Sequence, residues 1–378
     1  MSPHSIMWSR KGLFIIVAIG VFITTLLLFF VIAKTKLSPE SEDALLSCKT
    51  LKYSGQDKTN LLFIGGEQVV KSYSSYLFSK EPFSRNQDNF NIYYLDNYDT
   101  KDDCNLYKDV AVLCYSKKLL NTMASCPHDF TIVLTDQDPE IRSSAYRNIA
   151  SLNQNHPKTV ILHELGHILA NFAEEYVIPS PPSLNSRNCA KKCESFIINN
   201  GCFAECSDEG HYRSIEMGVM RSLATEDYGV FNDNLLQEKI TGFQKKQFTF
   251  AGKAIAEEKT CAGQTHHLIT LKENQGILEV LDKQKTIGCA EGNIEGQLKY
   301  EVITTDGAEI TGFFNEGLLF TDVQEAETIK GETFTNNDSF FLSIDAPPEA
   351  ERVSFMNQEG EKIGETSLLD TGARPCRQ

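Results

Sequence analysis

The chain has 378 residues, a net charge of −15 and a hydrophobic fraction of 41%. Because it offers no stripe of basic residues to phosphate groups, nucleic-acid binding is excluded as its main function. This excess of acidic over basic residues is typical of a soluble ectodomain and does not specify a substrate.

An uncharged apolar run, Leu13–Ala33, lies near the N-terminus with basic residues on both sides. About 20 apolar residues are needed to cross a bilayer, so the run predicts a transmembrane helix. A cleaved secretory signal is the alternative, although the apolar part of a signal is usually shorter. We expect a cytoplasmic N-terminus at 1–12, the helix at 13–33 and a polar stalk at 34–47. The rest would then lie outside a cell membrane, in a single-pass protein.

Residues 48–259 alternate between strand-like and helix-like patterns. Strands are predicted at Asn60–Ile64, Asn91–Leu95 and Thr131–Leu134, and helices near Val69–Phe78 and at Ala145–Leu152. A further helix is expected to begin near Pro157, since proline is tolerated in a first helical turn. Alternating strands and helices predict an α/β (α+β) architecture, with helices flanking a sheet.

The helix after Pro157 carries the most informative motif, His163-Glu164-Leu165-Gly166-His167. Helix positions i and i+4 lie one above the other, so His163 and His167 can bind one metal ion. Glu164 lies beside them, where a carboxylate can take the proton from a metal-bound water. The bare HExxH motif occurs by chance in on the order of one per cent of chains this long. The apolar residues around it favour a zinc site.

The segment His163–Tyr176 resembles the active-site helix and following turn of the IgA-peptidase-type zinc metallopeptidases. Further segments similar to that family follow in the same order over residues 58–240: Glu81–Phe83, Asn89–Tyr93, Phe130–Leu134, Tyr212–Ser214 and Val219–Ser222. The resemblance implies a zincin-like catalytic domain at 48–259, Zn²⁺ as cofactor and hydrolysis of peptide bonds. The family usually has glycine where Ala170 and Asn171 stand, and aspartate where Glu174 stands.

The third metal ligand is expected to be Glu174, with Glu175 as the alternative. A straight helix would carry Glu174 about 10 Å beyond His167, so the chain must turn back towards the metal. Asn171 can make that turn, because asparagine tolerates the left-handed backbone better than other non-glycine residues. Glu174 is preferred because it stands where the family usually has aspartate.

Other arrangements stay open. If the helix continues to Tyr176, the third ligand lies elsewhere, for example at His211 or Asp208. By resemblance to other zincins, Met220 is expected in a turn beneath the metal, and ordinary core packing is the alternative. Four residues could stabilise a developing oxyanion, and the sequence does not choose among them: Tyr176, Tyr212, Arg213 and Tyr228.

All eleven cysteines follow residue 47, in the part of the chain that would be exported. Four have a repeated spacing: Cys189-x3-Cys193 and Cys202-x3-Cys206. If each pair lies on a short helix and a turn joins the two, Cys189 can pair with Cys206 and Cys193 with Cys202. A second zinc site is the alternative, but thiolate zinc sites more often have x2 spacing. The other seven cysteines can supply up to three more bridges.

From residue 260 the pattern changes to short alternating strands separated by turn signals. The predicted strands are His267–Leu271, Ile277–Leu281, Leu298–Thr304, Glu309–Phe314, Leu318–Val323, Ser339–Ile344 and Arg352–Met356. They predict a C-terminal all-β sandwich domain at 260–378, which we interpret as a binding or spacing module.

These features predict a membrane-anchored, extracytoplasmic zinc endopeptidase acting on a protein or peptide substrate. Glu164 would be the general base for a water bound to Zn²⁺. The alternative is a catalytically inactive metal-binding or adhesion ectodomain on the same fold. The intact His163, Glu164 and His167 favour the enzyme.

Overall fold

In the computed structural model, the described residues are 46–96, 98–178, 182, 186–196, 201–242, 261–292, 296–314, 318–325, 328–335 and 339–369. The predicted transmembrane helix, the segment before it and nearly all of the predicted stalk lie outside these ranges. Among the residues that are described, no helix is both long and apolar enough to cross a membrane.

Before residue 243, the described part of the chain contains four α-helices and eleven short strands. The strands are β1 (Lys49–Lys52), β2 (Thr59–Ile64), β3 (Phe90–Leu95), β4 (Cys104–Tyr107), β5 (Ala111–Cys114), β6 (Phe130–Thr135), β7 (Ser143–Tyr146), β8 (Ile149–Asn153), β9 (Cys189–Ala190), β10 (Phe203–Cys206) and β11 (Asp208–Arg213). The helices are α1 (Glu67–Leu77), α2 (Lys117–Met123), α3 (Val160–Ala170) and α4 (Gly229–Gly242).

After residue 260, nine strands are found among the residues that the structure describes. They are β12 (Thr265–Asn274), β13 (Ile277–Ile287), β14 (Leu298–Thr304), β15 (Glu309–Phe314), β16 (Leu318–Glu325), β17 (Thr328–Thr335), β18 (Phe340–Ile344), β19 (Ala350–Met356) and β20 (Lys362–Ser367). The sequence-based strands of this region all have a counterpart here, while β17 and β20 were not predicted.

The largest sheet has eight strands in the order β1-β3-β2-β6-β8-β7-β16-β17. Its centre is parallel, since β2 pairs in parallel with β3 and β6, and β6 with β8. Every residue of β6 and β8 is buried, as expected for strands covered on both faces. Helix α3 packs on one face of this sheet, against β7 and β8.

The sequence predicts a helix at 145–152, but the structure has strands there. These residues form most of a hairpin, in which β7 pairs antiparallel with β8 and Arg147 has a left-handed φ of 55° at the turn. The prediction was wrong because all residues of both strands are buried, which removes the alternation by which a strand is normally identified. Pairing of β8 with β6, distant in sequence, decides its conformation.

The predicted fold class is also wrong. Among the described residues, strand (39%) predominates over helix (18%), and the strands are spread over several small sheets besides the large one. A separate sandwich would require the strands after residue 260 to pair only with one another. Instead β16 pairs antiparallel with β7 and extends the large sheet. Nonlocal pairing of this kind leaves no periodic signal in the sequence.

The remaining C-terminal strands form two sheets, β13-β12-β18 and β15-β14-β19-β20. These share a hydrophobic cluster that includes Ile269, Val302, Phe314 and Phe355. A second cluster lies between α3 and the large sheet and includes Leu61, Ile132, Leu165 and Met220. The metal-binding motif is therefore held in the larger of these cores.

Candidate metal centre

Helix α3 ends at the residue that the sequence predicts. Asn171 has φ 53° and ψ 36°, a left-handed conformation that confirms the predicted turn. The Asn171 N–H donates to the His167 carbonyl at 3.0 Å, and the Phe172 N–H donates to the Gly166 carbonyl at 3.2 Å. These bonds satisfy carbonyls that the helix end would otherwise leave open. The chain then returns towards the helix.

His163, His167 and Glu174 converge on one point and could hold a metal ion. The two Nε2 atoms lie 3.0 Å apart. Glu174 places Oε2 3.3 Å from Nε2 of His163 and Oε1 3.1 Å from Nε2 of His167. In the part of the chain that the structure describes, this is the one group of three or more potential ligands.

Both imidazoles are oriented by main-chain carbonyls. Nδ1 of His163 lies 2.8 Å from the Val219 carbonyl, and Nδ1 of His167 lies 2.6 Å from the Phe172 carbonyl. A carbonyl only accepts, so each Nδ1 carries the proton and each Nε2 lone pair points to the shared centre. This is the usual second contact of a metal-binding histidine.

Glu164 is completely buried beside the two histidines on α3. Its neighbours in the sequence place it on the turn between His163 and His167, where the motif predicts a general base. His163 and Glu174 are also completely buried, and His167 is 2% exposed. The group therefore lies in a low-dielectric environment, where electrostatic interactions are strong.

Glu175 points away from the metal group. Its Oε1 accepts from Nδ2 of Asn232 at 2.7 Å and from Nδ2 of Asn188 at 3.4 Å. Burial raises the pKa of Glu175 to about 7, although both amides lower it. Glu175 also donates its N–H to the Met220 carbonyl at 3.0 Å. The structure thus brings Glu174 rather than Glu175 to the two histidines.

Met220 lies in a tight turn beneath α3. The N–H groups of Arg221 and Ser222 both donate to the Gly218 carbonyl at 2.9 Å. Met220 is fully buried, and its sulfur packs where a Cβ at Gly166 would otherwise lie. The turn also supplies the Val219 carbonyl that orients His163.

The structure forms the two nested disulfides that the spacing predicts, Cys189–Cys206 and Cys193–Cys202. The expected pair of short helices is absent from this described segment, because Cys189 begins β9 and Cys206 ends β10, both antiparallel to β11. The Sγ atoms of Cys189 and Cys206 lie 3.7 and 3.8 Å from the Glu174 carbonyl oxygen. The outer bridge, Cys189–Cys206, therefore packs on the main chain of Glu174.

Three further disulfides are Cys48–Cys126, Cys104–Cys114 and Cys261–Cys289. The eleventh cysteine, Cys376, lies outside the described residues.

Four of the other candidates make contacts elsewhere: Asp208, His211, Arg213 and Tyr228. Asp208 accepts from Nδ1 of His211 at 2.6 Å on β11, and neither residue joins the metal group. The Tyr228 hydroxyl donates to the Leu162 carbonyl. The Arg213 guanidinium donates to the carbonyls of Ala204, Glu205 and Glu216.

Two residues lie near the metal group although no sequence motif predicts them there. Asn188 both accepts from the Ala173 N–H and donates to the Ala173 carbonyl, each at 2.8 Å, and so fixes the main chain before Glu174. Phe320, on β16, stacks on the His167 ring with 4.1 Å between centroids and 12° between planes. Neither residue belongs to a local motif, because each reaches the centre from a distant part of the chain.

No protein-family model matches the chain, and no curated protein matches it. The resemblance to IgA-peptidase-type metallopeptidases stays a prediction carried by the ordered segments of the sequence.

Proposed function

We propose that this protein is a zinc-dependent endopeptidase that uses Glu164 as its general base. The observation that carries the proposal is the convergence of two imidazole nitrogens and one carboxylate, 3.0–3.3 Å apart, beside a buried glutamate. Ligands of a tetrahedral zinc at about 2.0–2.1 Å would be roughly 3.3 Å apart. Two histidines and one glutamate are also a usual ligand set of catalytic zinc.

When bound, zinc would polarise the scissile carbonyl and lower the pKa of a coordinated water. The protein's own groups do the rest. Glu164 accepts the proton from the attacking water and then passes it to the leaving amine. The Val219 and Phe172 carbonyls hold His163 and His167 in the tautomer that presents Nε2 to the metal.

The proposal includes an extracytoplasmic location and a relationship to the IgA-peptidase-type metallopeptidases. Five disulfides favour an oxidising, extracytoplasmic environment, since such bridges are rare in the cytosol. Attachment to a cell membrane through residues 13–33 stays a prediction from the sequence. Similarity to the IgA-peptidase-type metallopeptidases supports peptide-bond hydrolysis and gives no reason to name an immunoglobulin as substrate.

The test compares the purified protein with its Glu164→Gln variant. We expect about one zinc per chain in both by elemental analysis, because Glu164 is not a ligand. Only the parent should cleave an unfolded protein substrate, and a chelator should abolish that cleavage until zinc is restored. Hydrolysis that persists in Glu164→Gln would refute the mechanism. Zinc binding without hydrolysis in any form would favour the inactive metal-binding ectodomain.

A further inference from the structure

The metal group is covered by a segment from the C-terminal half of the chain. The Phe320 ring stacks directly on His167, with 4.1 Å between ring centroids. Phe320 also packs against the hydrophobic cluster that contains α3. His163, Glu164 and Glu174 have zero exposure, so a polypeptide cannot contact these three side chains in this conformation.

The same segment occupies the strand edge next to the metal. β16 pairs antiparallel with β7 through Leu319↔Tyr146, Phe320↔Ala145, Thr321↔Ser144 and Asp322↔Ser143. β7 packs against α3, so its edge lies along the metal-binding helix. Addition of an extended chain to a free strand edge is a common mode of polypeptide recognition. β16 takes that position as an extended peptide would.

We propose that the hairpin β16–β17 is a removable internal cover, which occupies the polypeptide-binding edge of β7 and places Phe320 over His167. The inference rests on the proposed endopeptidase function for its consequence, namely that hydrolysis requires the hairpin to leave β7. An extended polypeptide segment would then replace β16 on the same edge.

The pairing pattern supports departure as a unit. β16 shares eight residue pairs with β17 but four with β7. Within the described strands, β17 lies at the end of the sheet and pairs with β16 alone. Separation at the β7–β16 boundary therefore breaks the shorter ladder and leaves the hairpin intact.

The first test opens the cover by a single substitution, Phe320→Ala. The matched control is Phe341→Ala, which removes a partly buried phenyl ring that contacts Tyr115 instead of the metal group. Two rates are measured on the full chain: removal of bound zinc by a chelator, and cleavage of an unfolded protein substrate. We expect both rates to rise at least fivefold in Phe320→Ala and neither in Phe341→Ala. Unchanged rates of zinc removal in Phe320→Ala would overturn the proposal.

The second test holds the cover closed. Ser144 and Thr321 are fully buried and directly opposite each other across β7 and β16. Opposite residues in antiparallel strands have Cα atoms about 4.5–5.5 Å apart, which a disulfide can bridge. The double variant Ser144→Cys/Thr321→Cys is made with Cys376→Ser to limit mispairing, and the bridge is verified by mass spectrometry. We expect cleavage to fall at least tenfold below that of either single-cysteine variant, and zinc removal to slow.

The two readouts separate the two proposals. If zinc removal responds to both variants but no form cleaves substrate, the cover stands and the endopeptidase proposal fails. If the locked protein cleaves substrate as fast as the single-cysteine variants, the endopeptidase proposal stands and the cover is refuted.

Discussion

The sulfur of Met220 lies so close to Gly166 that a Cβ at Gly166 would be 2.5 Å from it. An alanine at position 166 would therefore force the Met220 side chain to shift. We expect Gly166→Ala to lower the free energy of unfolding by about 1–3 kcal/mol, as overpacking of a core does. Denaturant unfolding measures the change.

A double-mutant cycle identifies the cause. The cost of Gly166→Ala should be smaller when Met220→Ala has already removed the sulfur, giving a coupling energy of about 1 kcal/mol. Additive effects would show that Gly166 is required for another reason, such as the crowding of an added Cβ against the Phe172 ring.

Substitutions at Asn171 test the turn that returns the chain towards the metal group. Because φ is 53° there, we expect Asn171→Val to destabilise the fold by about 1–2 kcal/mol or more. It should also weaken zinc binding, since the turn places Glu174. Asn171→Gly, which accepts positive φ freely, should stay within about 1 kcal/mol of the parent. Equal losses in both variants would show that the asparagine side chain matters more than the backbone angle.

Glu174 and Glu175 give a matched pair of isosteric substitutions. We expect Glu174→Gln to reduce zinc affinity by on the order of 100-fold, because it removes a ligand charge. Glu175→Gln should change affinity by less than about tenfold, since Glu175 contacts Asn232 and Asn188 instead. Competition with a chelating dye measures both. A larger loss in Glu175→Gln would reverse the ligand assignment.

The two nested disulfides should differ in their effect on the metal centre. Removing either bridge by double alanine substitution should cost about 2–5 kcal/mol of stability. Only loss of Cys189–Cys206 should also weaken zinc binding, because this bridge packs on the Glu174 carbonyl. Cys193–Cys202 serves as the control. Equal zinc affinities in the two variants would show that the Cys189–Cys206 bridge does not position Glu174.

Two buried histidines predict a loss of stability in acid. Burial lowers the pKa of His128 and of His266 to about 4, from 6.5. Between pH 6.5 and 4 the unfolded chain binds more protons at these sites, so stability falls as the pH falls through that window. Each histidine contributes up to about 3 kcal/mol.

Two carboxyls, Glu291 and Glu175, oppose this effect. Burial raises the pKa of Glu291 to about 7, so its contribution is present at low pH and is lost as the pH rises from 4.5 to 7. The pKa of Glu175 is likewise raised to about 7 by burial and acts in the same direction, so single variants test the assignment better than the net slope does. His128→Gln should flatten the dependence and Glu291→Gln should steepen it, as measured by denaturant midpoints at pH 4.5 and 6.5. A steeper dependence in His128→Gln would contradict the assignment.

The sequence by itself determined the parts of the centre that depend on local geometry. His163 and His167 are one helical turn apart, so their common direction follows from the period of the helix. Once the family resemblance suggests Glu174 as the third ligand, a turn near Asn171 follows as well, because a straight helix cannot return Glu174 to the metal. The cysteine spacing likewise restricted the pairing that β9 and β10 complete.

Only the tertiary structure decided the rest. The strands at 143–153 looked helical because both faces are buried, and their pairing partners lie outside any local window. The association of β16 with β7, and of Phe320 with His167, joins residues more than 150 positions apart. Such contacts are set by the free energy of burying whole surfaces against each other, and a short stretch of sequence carries no record of its distant partner.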